Sequence, residues 1–204
     1  MRKFTKITAI CGVFAAVMAA GSALAADFST HKTAVLYYTL LHNRVGGDDF
    51  AAEHSVGNTE NIANIIAEQT GADKFELQQT ELYPNSYDET VDIAKEEQER
   101  NARPALKSVP DLSAYDVVFM GFPCWWGSYP MAFATYFDSV DLSGKTIVPF
   151  TTHGGSRFGH SIQDLKAALP QSTIVEGLAV RDRDAQDADI SEDVTEFLND
   201  LELN

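Results

Sequence analysis

The stretch that decides the fold runs from Val117-Val118-Phe119-Met120 into the loop Phe122-Pro123-Cys124-Trp125-Trp126-Gly127-Ser128-Tyr129-Pro130. Four successive apolar residues predict a short buried strand, and two prolines and a glycine restrict the backbone of the loop after it. The loop holds both tryptophans of the chain. Two large rings at the C-terminal end of a buried strand suit a flat ligand, since open α/β sheets bind ligands at that edge. The alternative is that both rings pack into the core.

The rest of the chain alternates strand patterns with helix patterns. Apolar and β-branched runs predict five strands, at 33–38, 74–77, 117–121, 146–151 and 173–175. Amphipathic patterns predict a helix from Gly57 to a stop at Gly71, and further helices at 89–100, 130–140, 161–169 and 190–201. This alternation predicts an α/β fold, a parallel sheet with helices on both faces. A common order for five such strands is 2-1-3-4-5, which places a ligand beyond the C-terminal ends of strands 1, 3 and 4.

Two further loops follow strands at that edge. Gly57-Asn58-Thr59 opens the first helix, where free backbone N–H groups and the helix dipole favour a phosphate, and Thr39 adds a hydroxyl at the end of strand 1. An ordinary helix cap is the alternative, because Asn and Thr are common caps. The loop at 151–159 carries three glycines, which let backbone groups reach a ligand, although a flexible glycine turn explains it equally well.

Taken together, the loops resemble those of the flavodoxin family, in the branch with a Trp-Trp-Gly second loop and a Thr-His-Gly-Gly-Ser third loop. The resemblance covers residues 33–180. Its other motifs are Gly57-Asn58-Thr59, Tyr83-Pro84 with Tyr87-Asp88, Ala102-Arg103-Pro104, Gly144-Lys145-Thr146 and Glu176-Gly177-Leu178. The resemblance implies a flavodoxin-like three-layer α/β sandwich that binds FMN non-covalently.

The resemblance also implies which residues contact FMN. The phosphate would be held by Thr39, Gly57, Asn58 and Thr59. One side of the isoalloxazine would be lined by Pro123, Cys124, Trp125, Trp126 and Gly127, and its other edge by Thr152, His153, Gly154, Gly155, Ser156 and Phe158. In such a protein the cofactor performs the chemistry and the chain tunes it, so no catalytic acid or base and no metal is expected.

Residues 41–55 depart from the family pattern. The family has a short serine-rich turn between strand 1 and the Gly-Asn-Thr motif, whereas here these fifteen residues intervene, and Thr39 stands where serine is usual. The insertion therefore bears directly on the predicted phosphate pocket. Its histidines and aspartates, His42, Asp48, Asp49 and His54, are interpreted as solvated loop residues because their spacing is irregular for a metal site.

The N-terminus has the pattern of an export signal. Arg2, Lys3 and Lys6 precede an apolar segment at 7–20, and Ala23-Leu24-Ala25 is a small-residue cleavage site. We therefore predict a signal peptide at 1–25 and a single domain at 26–204. The protein is expected to be exported, periplasmic or secreted, with no membrane anchor in the mature chain.

Charge and cysteine content limit the partners and the chemistry. The chain carries 15 basic and 30 acidic residues, a net charge of −15, which argues against nucleic acid and anionic lipid. This charge suits a redox partner protein with a basic docking face, and the acidic helix from Asp88 to Glu99 is a candidate surface for it, unless it is simply a solvated face. Cys124 is the single cysteine after residue 25, so an internal disulfide and two-cysteine redox chemistry are excluded.

Three functions remain open from the sequence. The preferred one is an FMN-binding electron carrier outside the cytoplasm. The second is an FMN-dependent reductase of quinones or other small acceptors, in which Tyr129, His153 or Arg157 would orient the substrate. The third is a binding module that has lost FMN, which the insertion in the phosphate loop motivates. A reductase is less attractive because it needs NAD(P)H outside the cytoplasm.

Overall fold

The computed structural model describes residues 28–47 and 56–203. The predicted signal peptide and the second half of the insertion, 48–55, lie outside the described residues. The strands are β1 (Thr33–Tyr37), β2 (Asp73–Glu76), β3 (Val117–Pro123), β4 (Thr146–His153), β5 (Thr173–Ile174) and β6 (Leu178–Arg181). The α-helices are α1 (Asn58–Thr70), α2 (Tyr87–Glu99), α3 (Ala132–Ser139), α4 (Ser161–Ala168) and α5 (Ile190–Asp200). Among these described helices, none has the length and apolarity needed to cross a bilayer.

The strands form one parallel sheet in the order β2-β1-β3-β4-β5, which confirms the predicted order. Strand residues alternate between two cores, because successive side chains of a strand point to opposite faces. On one face, Phe133 and Leu165 bring α3 and α4 against the sheet. On the other face, Ile62 of α1 and Val194 of α5 pack against the sheet. The predicted three-layer α/β sandwich is therefore confirmed.

The last strand differs from the prediction of a single strand at 173–175. Two short strands, β5 and β6, pair with β4, and the break between them falls opposite Pro149. Proline has no N–H to donate to a neighbouring strand, so central strands tolerate it where the ladder is interrupted. Three residues separate β5 from β6, whereas two residues of β4 lie between the paired positions Ile147 and Phe150. An extra residue on one strand is typical of a β-bulge. Gly177 sits there against the Pro149 carbonyl, which a Cβ would approach to 2.3 Å.

The described part of the insertion is tied to the sheet by a buried asparagine. Leu41–Asn43 forms a short 3₁₀ helix, separated from the end of β1 by three residues. The Asn43 side chain donates to the carbonyls of Thr39 (2.7 Å) and Leu77 (3.2 Å) and accepts from the Gln79 N–H (2.7 Å). The insertion therefore begins as ordered structure that joins the ends of β1 and β2.

Candidate functional site

A cavity of about 550 Å³ opens at the C-terminal edge of the sheet, where β1, β3 and β4 end beside the first turn of α1. Its volume is within the range of about 300–1,000 Å³ typical of ligand pockets. Eight of the predicted cofactor contacts line it: Thr39, Gly57, Asn58, Thr59, Pro123, Cys124, Trp125 and Thr152. The fold thus brings parts of all three predicted loops to one cavity.

One end of this cavity suits an anion. Helix α1 begins at Asn58, and its first N–H groups have no carbonyl partner within the helix, which makes this terminus electropositive. Gly57 allows the close approach of Thr39, two residues after β1, because a Cβ at residue 57 would lie 2.1 Å from the Thr39 Oγ1. Arg44 and Arg183 also line the cavity. Asp182 also lines the cavity and Arg183 pairs with Asp184 at 3.0 Å, so the helix N-terminus and Arg44 are the main part of a donor set that fits a phosphate group.

Side-chain hydrogen bonds hold the first turn of α1 against the sheet. The Thr59 and Thr152 hydroxyls lie 2.9 Å apart and are both buried, so they join α1 to β4. The Asn58 amide donates to the Asp182 carbonyl at 3.1 Å and accepts from Gln186, also at 3.1 Å. The helix terminus is therefore positioned by contacts to β4 and to the segment after β6.

Trp125 forms an aromatic wall of the cavity. Its ring packs edge-on against Tyr38 and Tyr83, with centroid distances of 5.7 and 5.4 Å. Its backbone carbonyl accepts a hydrogen bond from the Gln98 side chain at 2.7 Å, and its backbone pairs with Ser128 in both directions at 2.9 Å. Contacts on two sides leave the ring little freedom, which suits a preformed platform for a flat ligand.

Trp126 follows Trp125 directly, but it lies in the turn, and its side chain has different surroundings. Trp126 does not line the cavity and is 50% exposed. Its indole N–H donates a hydrogen bond to the Val91 carbonyl at 3.0 Å. Trp126 and Gly127 have φ angles of 49° and 86°, as a two-residue type I′ turn requires. A bulky residue rarely adopts positive φ, so this tryptophan occupies a strained position.

The strained position leads to a prediction about Trp126→Asn. Asparagine is preferred in this turn and relieves the strain, but it loses the indole hydrogen bond. We therefore expect the free energy of unfolding to change by no more than about 1 kcal/mol. Chemical denaturation measures it, and a loss of several kcal/mol would mean that Trp126 is a core residue.

The third loop lies against the second rather than in the cavity. After Thr152, two hydrogen bonds join this part of the chain to the tryptophan loop. The Ser156 hydroxyl donates to the Cys124 Sγ at 3.3 Å, and the backbone N–H of His160 donates to the Gly127 carbonyl at 2.7 Å. Gly154 and Gly155 are exposed, while Phe158 packs on the first core. The cofactor contacts predicted for Trp126, Gly127, His153, Gly154, Gly155, Ser156 and Phe158 therefore stay predictions.

His153 is the buried ionisable group of this loop. The residue is 3% exposed, and its Nδ1 has no hydrogen-bond partner among the described residues. Burial lowers the pKa of the imidazole, with an opposing effect from the Asp182 carboxylate. His153 is therefore held in its neutral form, in which one ring nitrogen is a donor and the other an acceptor.

Glu97 lies beneath the aromatic wall and leads to a prediction about pH. It accepts a hydrogen bond from the Tyr83 hydroxyl, and burial raises the pKa of its carboxyl above the ordinary value. Since the folded state holds this proton more tightly than the unfolded state, the stabilisation is present at low pH and is lost as the pH rises through the folded pKa. Glutamine mimics the protonated acid, so Glu97→Gln should raise the melting temperature near neutral pH.

The comparison should be made at about pH 4 and about pH 7, because the ionised fraction of a carboxyl group with a raised pKa is smaller at the lower pH. We expect the gain from Glu97→Gln to reach no more than about 1 kcal/mol at the higher pH and to shrink at the lower. Glu99→Gln on the same helix is the matched control, because Glu99 is exposed and pairs only loosely with Lys95, at 3.8 Å. An equal gain at both pH values would contradict the protonation argument.

Sequence reasoning missed several residues that line the cavity. These are Leu40, Leu41, Arg44, Val56, Asp182, Arg183 and Gln186. Arg44 lies in the insertion at 41–55, where the sequence pattern predicts no helix or strand that would place its side chain. The last three follow β6, which was not predicted as a strand. The apolar run Leu178-Ala179-Val180 after Gly177 is the signal that would have located β6 and the segment after it.

The chain is an open α/β protein with a cavity at the carboxyl edge of a 2-1-3-4-5 sheet, where proteins of this class bind ligands. Sequence comparison then gives the family, since a family model described as flavodoxin matches residues 50–198. The chain belongs to the flavodoxin family.

Individual relatives agree with this assignment. Flavodoxin 1 of Escherichia coli K12 is 31% identical over 98 residues, which is 46% of this chain and 42% of that protein, so the match spans less than half of the relative. A candidate flavoprotein from Bacteroides eggerthii is similar in structure, with a TM-score of 0.67 at 26% identity over 85% of this chain and 99% of that one. A Lactobacillus acidophilus flavoprotein solved in complex with FMN has the same fold, with a TM-score of 0.58 at 19% identity over 79% and 97% of the chains.

Proposed function

We propose that this flavodoxin-family protein binds FMN non-covalently in the 550 Å³ cavity and transfers electrons between partner proteins outside the cytoplasm. The observation that carries the proposal is the pairing of two features in one cavity. These are the N-terminus of α1 with nearby cations, and the rigid wall of Trp125. A flat heterocycle with a phosphate tail needs both features.

The residues present fit the cofactor as follows. The first N–H groups of α1, the hydroxyl of Thr39 and the guanidinium of Arg44 or Arg183 would hold the phosphate. Trp125 and Pro123 would contact the isoalloxazine of FMN. Bound FMN supplies the one- and two-electron chemistry, while the chain orients it and limits its contact with water. The negative charge of the chain would disfavour an anionic reduced cofactor.

A reductase of quinones or other small acceptors is the second candidate, and the lining of the cavity favours the carrier over it. The side chains expected to orient a substrate were Tyr129, His153 and Arg157. None of the three lines the cavity: Tyr129 lines a different one, His153 is buried, and Arg157 is exposed. A binding module without FMN is the third candidate, and the fit of the cavity to a phosphate speaks against it.

The partner protein is proposed to carry a basic face. Helix α2 holds six acidic residues and one lysine, and it lies next to the Trp125 loop through the Gln98 and Val91 hydrogen bonds. A partner docked on α2 would therefore approach the aromatic wall of the cofactor cavity. Opposite charges across such an interface raise the association rate and fix orientation.

Two experiments on FMN-loaded protein separate carrier from enzyme. Reductive titration with dithionite should give a stable reduced state that reoxidises on adding an oxidised electron-transfer protein of basic charge. Incubation with NADPH and a quinone should give no sustained turnover. Sustained turnover would establish the reductase, and failure to hold any reduced state would exclude the carrier.

A further inference from the structure

Two aromatic side chains are exposed where the tryptophan loop meets the start of α2. Tyr87, the first residue of α2, is 80% exposed, and Trp126 is 50% exposed. Of the large apolar side chains exposed in residues 28–47 and 56–203, these two are the aromatic ones. Exposed apolar residues scattered singly are ordinary, whereas exposed Tyr and Trp rings on one surface are typical of protein contact sites.

Helix α2 places the two rings along one of its faces. Tyr87, Val91 and Lys95 are spaced four residues apart, so they lie one above the other on the helix. The Trp126 indole N–H donates to the Val91 carbonyl at 3.0 Å, and the Lys95 Nζ lies 5.3 Å from the centroid of the Trp126 ring. The indole therefore lies along the face of α2 that begins with Tyr87.

The backbone at Trp126 is held in a conformation that costs free energy. Its φ angle of 49° suits asparagine or glycine in this turn, and a bulky side chain rarely adopts it. Strained residues of this kind are concentrated at functional sites. Because the ring does not line the FMN cavity and is half exposed, a contact outside the chain is the function that explains a tryptophan at this position.

Three carboxylates beside the rings have no basic partner. The ion pairs of α2 lie in its C-terminal half, whereas Asp88, Glu89 and Asp92 are exposed and form no ion pair with any described residue. The helix dipole accounts for Asp88 and Glu89 in the first turn but not for Asp92. Asp88 and Asp92 are also four residues apart, where like charges repel. A cation supplied from outside would therefore stabilise this surface.

We propose that a protein with an arginine- and lysine-rich face docks on an aromatic–acidic patch at the start of α2, with Trp126 as the central contact. The patch consists of Tyr87, Asp88, Glu89, Val91, Asp92 and Trp126. This inference rests on the proposed function and names the surface on which the basic redox partner would bind. Because Trp126 directly follows Trp125, the docked partner would lie next to the aromatic wall of the FMN cavity.

Cationic side chains fit both parts of the patch. Carboxylates attract them, and the faces of aromatic rings bind ammonium and guanidinium groups, as Lys95 already does at Trp126. Tyrosine and tryptophan are also the residues that most often carry the binding energy of an interface. A second copy of this chain fits poorly, because a two-fold contact would bring the same carboxylates together.

Oxidised cytochrome c, a haem protein with a lysine-rich face, is the probe for this surface. Binding is followed by ¹H–¹⁵N NMR at low ionic strength, with cofactor-free and FMN-loaded protein. We expect saturable shifts at the patch in both forms, with an affinity that falls as salt is added. If cytochrome c binds the patch but reduced, FMN-loaded protein does not reduce it, the proposed function fails while this inference stands. Absence of saturable shifts at the patch would overturn the inference.

Two substitutions of Trp126 test the central contact. Trp126→Asn removes the ring and places a residue that the turn prefers, so the chain should stay folded while cytochrome c binds roughly tenfold more weakly. Trp126→Phe keeps an aromatic ring and should retain most of the affinity. Undiminished binding by Trp126→Asn would overturn the proposal. So would a dimer of the native protein in analytical ultracentrifugation that Trp126→Asn abolishes, since the patch would then hold a second copy.

A pair of charge variants tests the carboxylates. Asp88→Asn with Asp92→Asn should weaken cytochrome c binding roughly threefold to tenfold and reduce its dependence on salt. Glu192→Gln with Glu196→Gln is the matched control, because these exposed acids are also four residues apart and unpaired among the described residues. They lie on α5, which packs on the opposite face of the sheet from α2. Equal weakening by both pairs would show that net charge alone attracts cytochrome c, and would overturn the proposal.

Discussion

Replacing Trp125 by alanine is expected to weaken FMN binding roughly tenfold to hundredfold, because the lost aromatic wall contributes about 1.5–3 kcal/mol of apolar burial. Stability should fall as well, by about 3 kcal/mol or more, since the ring packs against Tyr38 and Tyr83. Circular dichroism must therefore confirm that the variant is folded before FMN affinity is measured by fluorescence titration. Trp125→Phe keeps part of the wall and serves if the alanine variant unfolds.

Trp126→Ala is the matched control, because it removes the same side chain from the next residue. Trp126 does not line the cavity and is held by Val91, so its loss should change FMN affinity by no more than about threefold. Equal losses from both variants would contradict the assignment of the wall to Trp125. They would mean that the exposed ring reaches the cofactor as the family resemblance implies.

Gly57→Val is the second variant with a large expected effect. A Cβ at residue 57 would lie 2.1 Å from the Thr39 Oγ1 and 3.5 Å from the Leu41 Cβ, so Thr39 must move at the phosphate end of the cavity. We expect FMN affinity to fall roughly a hundredfold, with a stability loss of about 1–3 kcal/mol from overpacking. Riboflavin lacks the phosphate, so its weaker binding should fall much less.

Two comparisons test the cause of this effect. Adding Thr39→Ala to Gly57→Val removes the Oγ1 that the new side chain meets, so the double variant should regain part of the lost stability. Stability losses that simply add would show that the clash is not with Thr39. An equal loss of FMN and riboflavin affinity would show that Gly57 does not act at a phosphate site.

The sequence was sufficient to predict β1, β3 and β4 because each contains an apolar run bounded by turn residues, whereas β2 (Asp73–Glu76) is mostly charged and was located by its place in the alternation of strands and helices. The run Thr33-Ala34-Val35-Leu36-Tyr37, for example, becomes a fully buried β1. The last strand was predicted only in part, because a break opposite Pro149 depends on pairing with β4, which no local pattern reveals.

The candidate site, like the sheet, was predictable from the sequence in part. Residues at strand ends and at the N-terminus of α1 were predictable because parallel strands end at a common edge. The opposite placement of Trp125 and Trp126 was not predictable, because it results from a tight turn with positive φ at a tryptophan. Arg44 and Arg183 were also missed, because long-range packing brings them to the cavity from an insertion and from the segment after β6.

The measurement that tests the central claim most directly is a titration of FMN with the purified cofactor-free protein, followed by fluorescence and by the visible spectrum. We predict quenching that ends near one FMN per chain, a structured shift of the absorption band, and much weaker binding of riboflavin in the same assay. Unchanged fluorescence at protein concentrations well above that of FMN would contradict the account. The cavity would then have to hold a ligand of another kind.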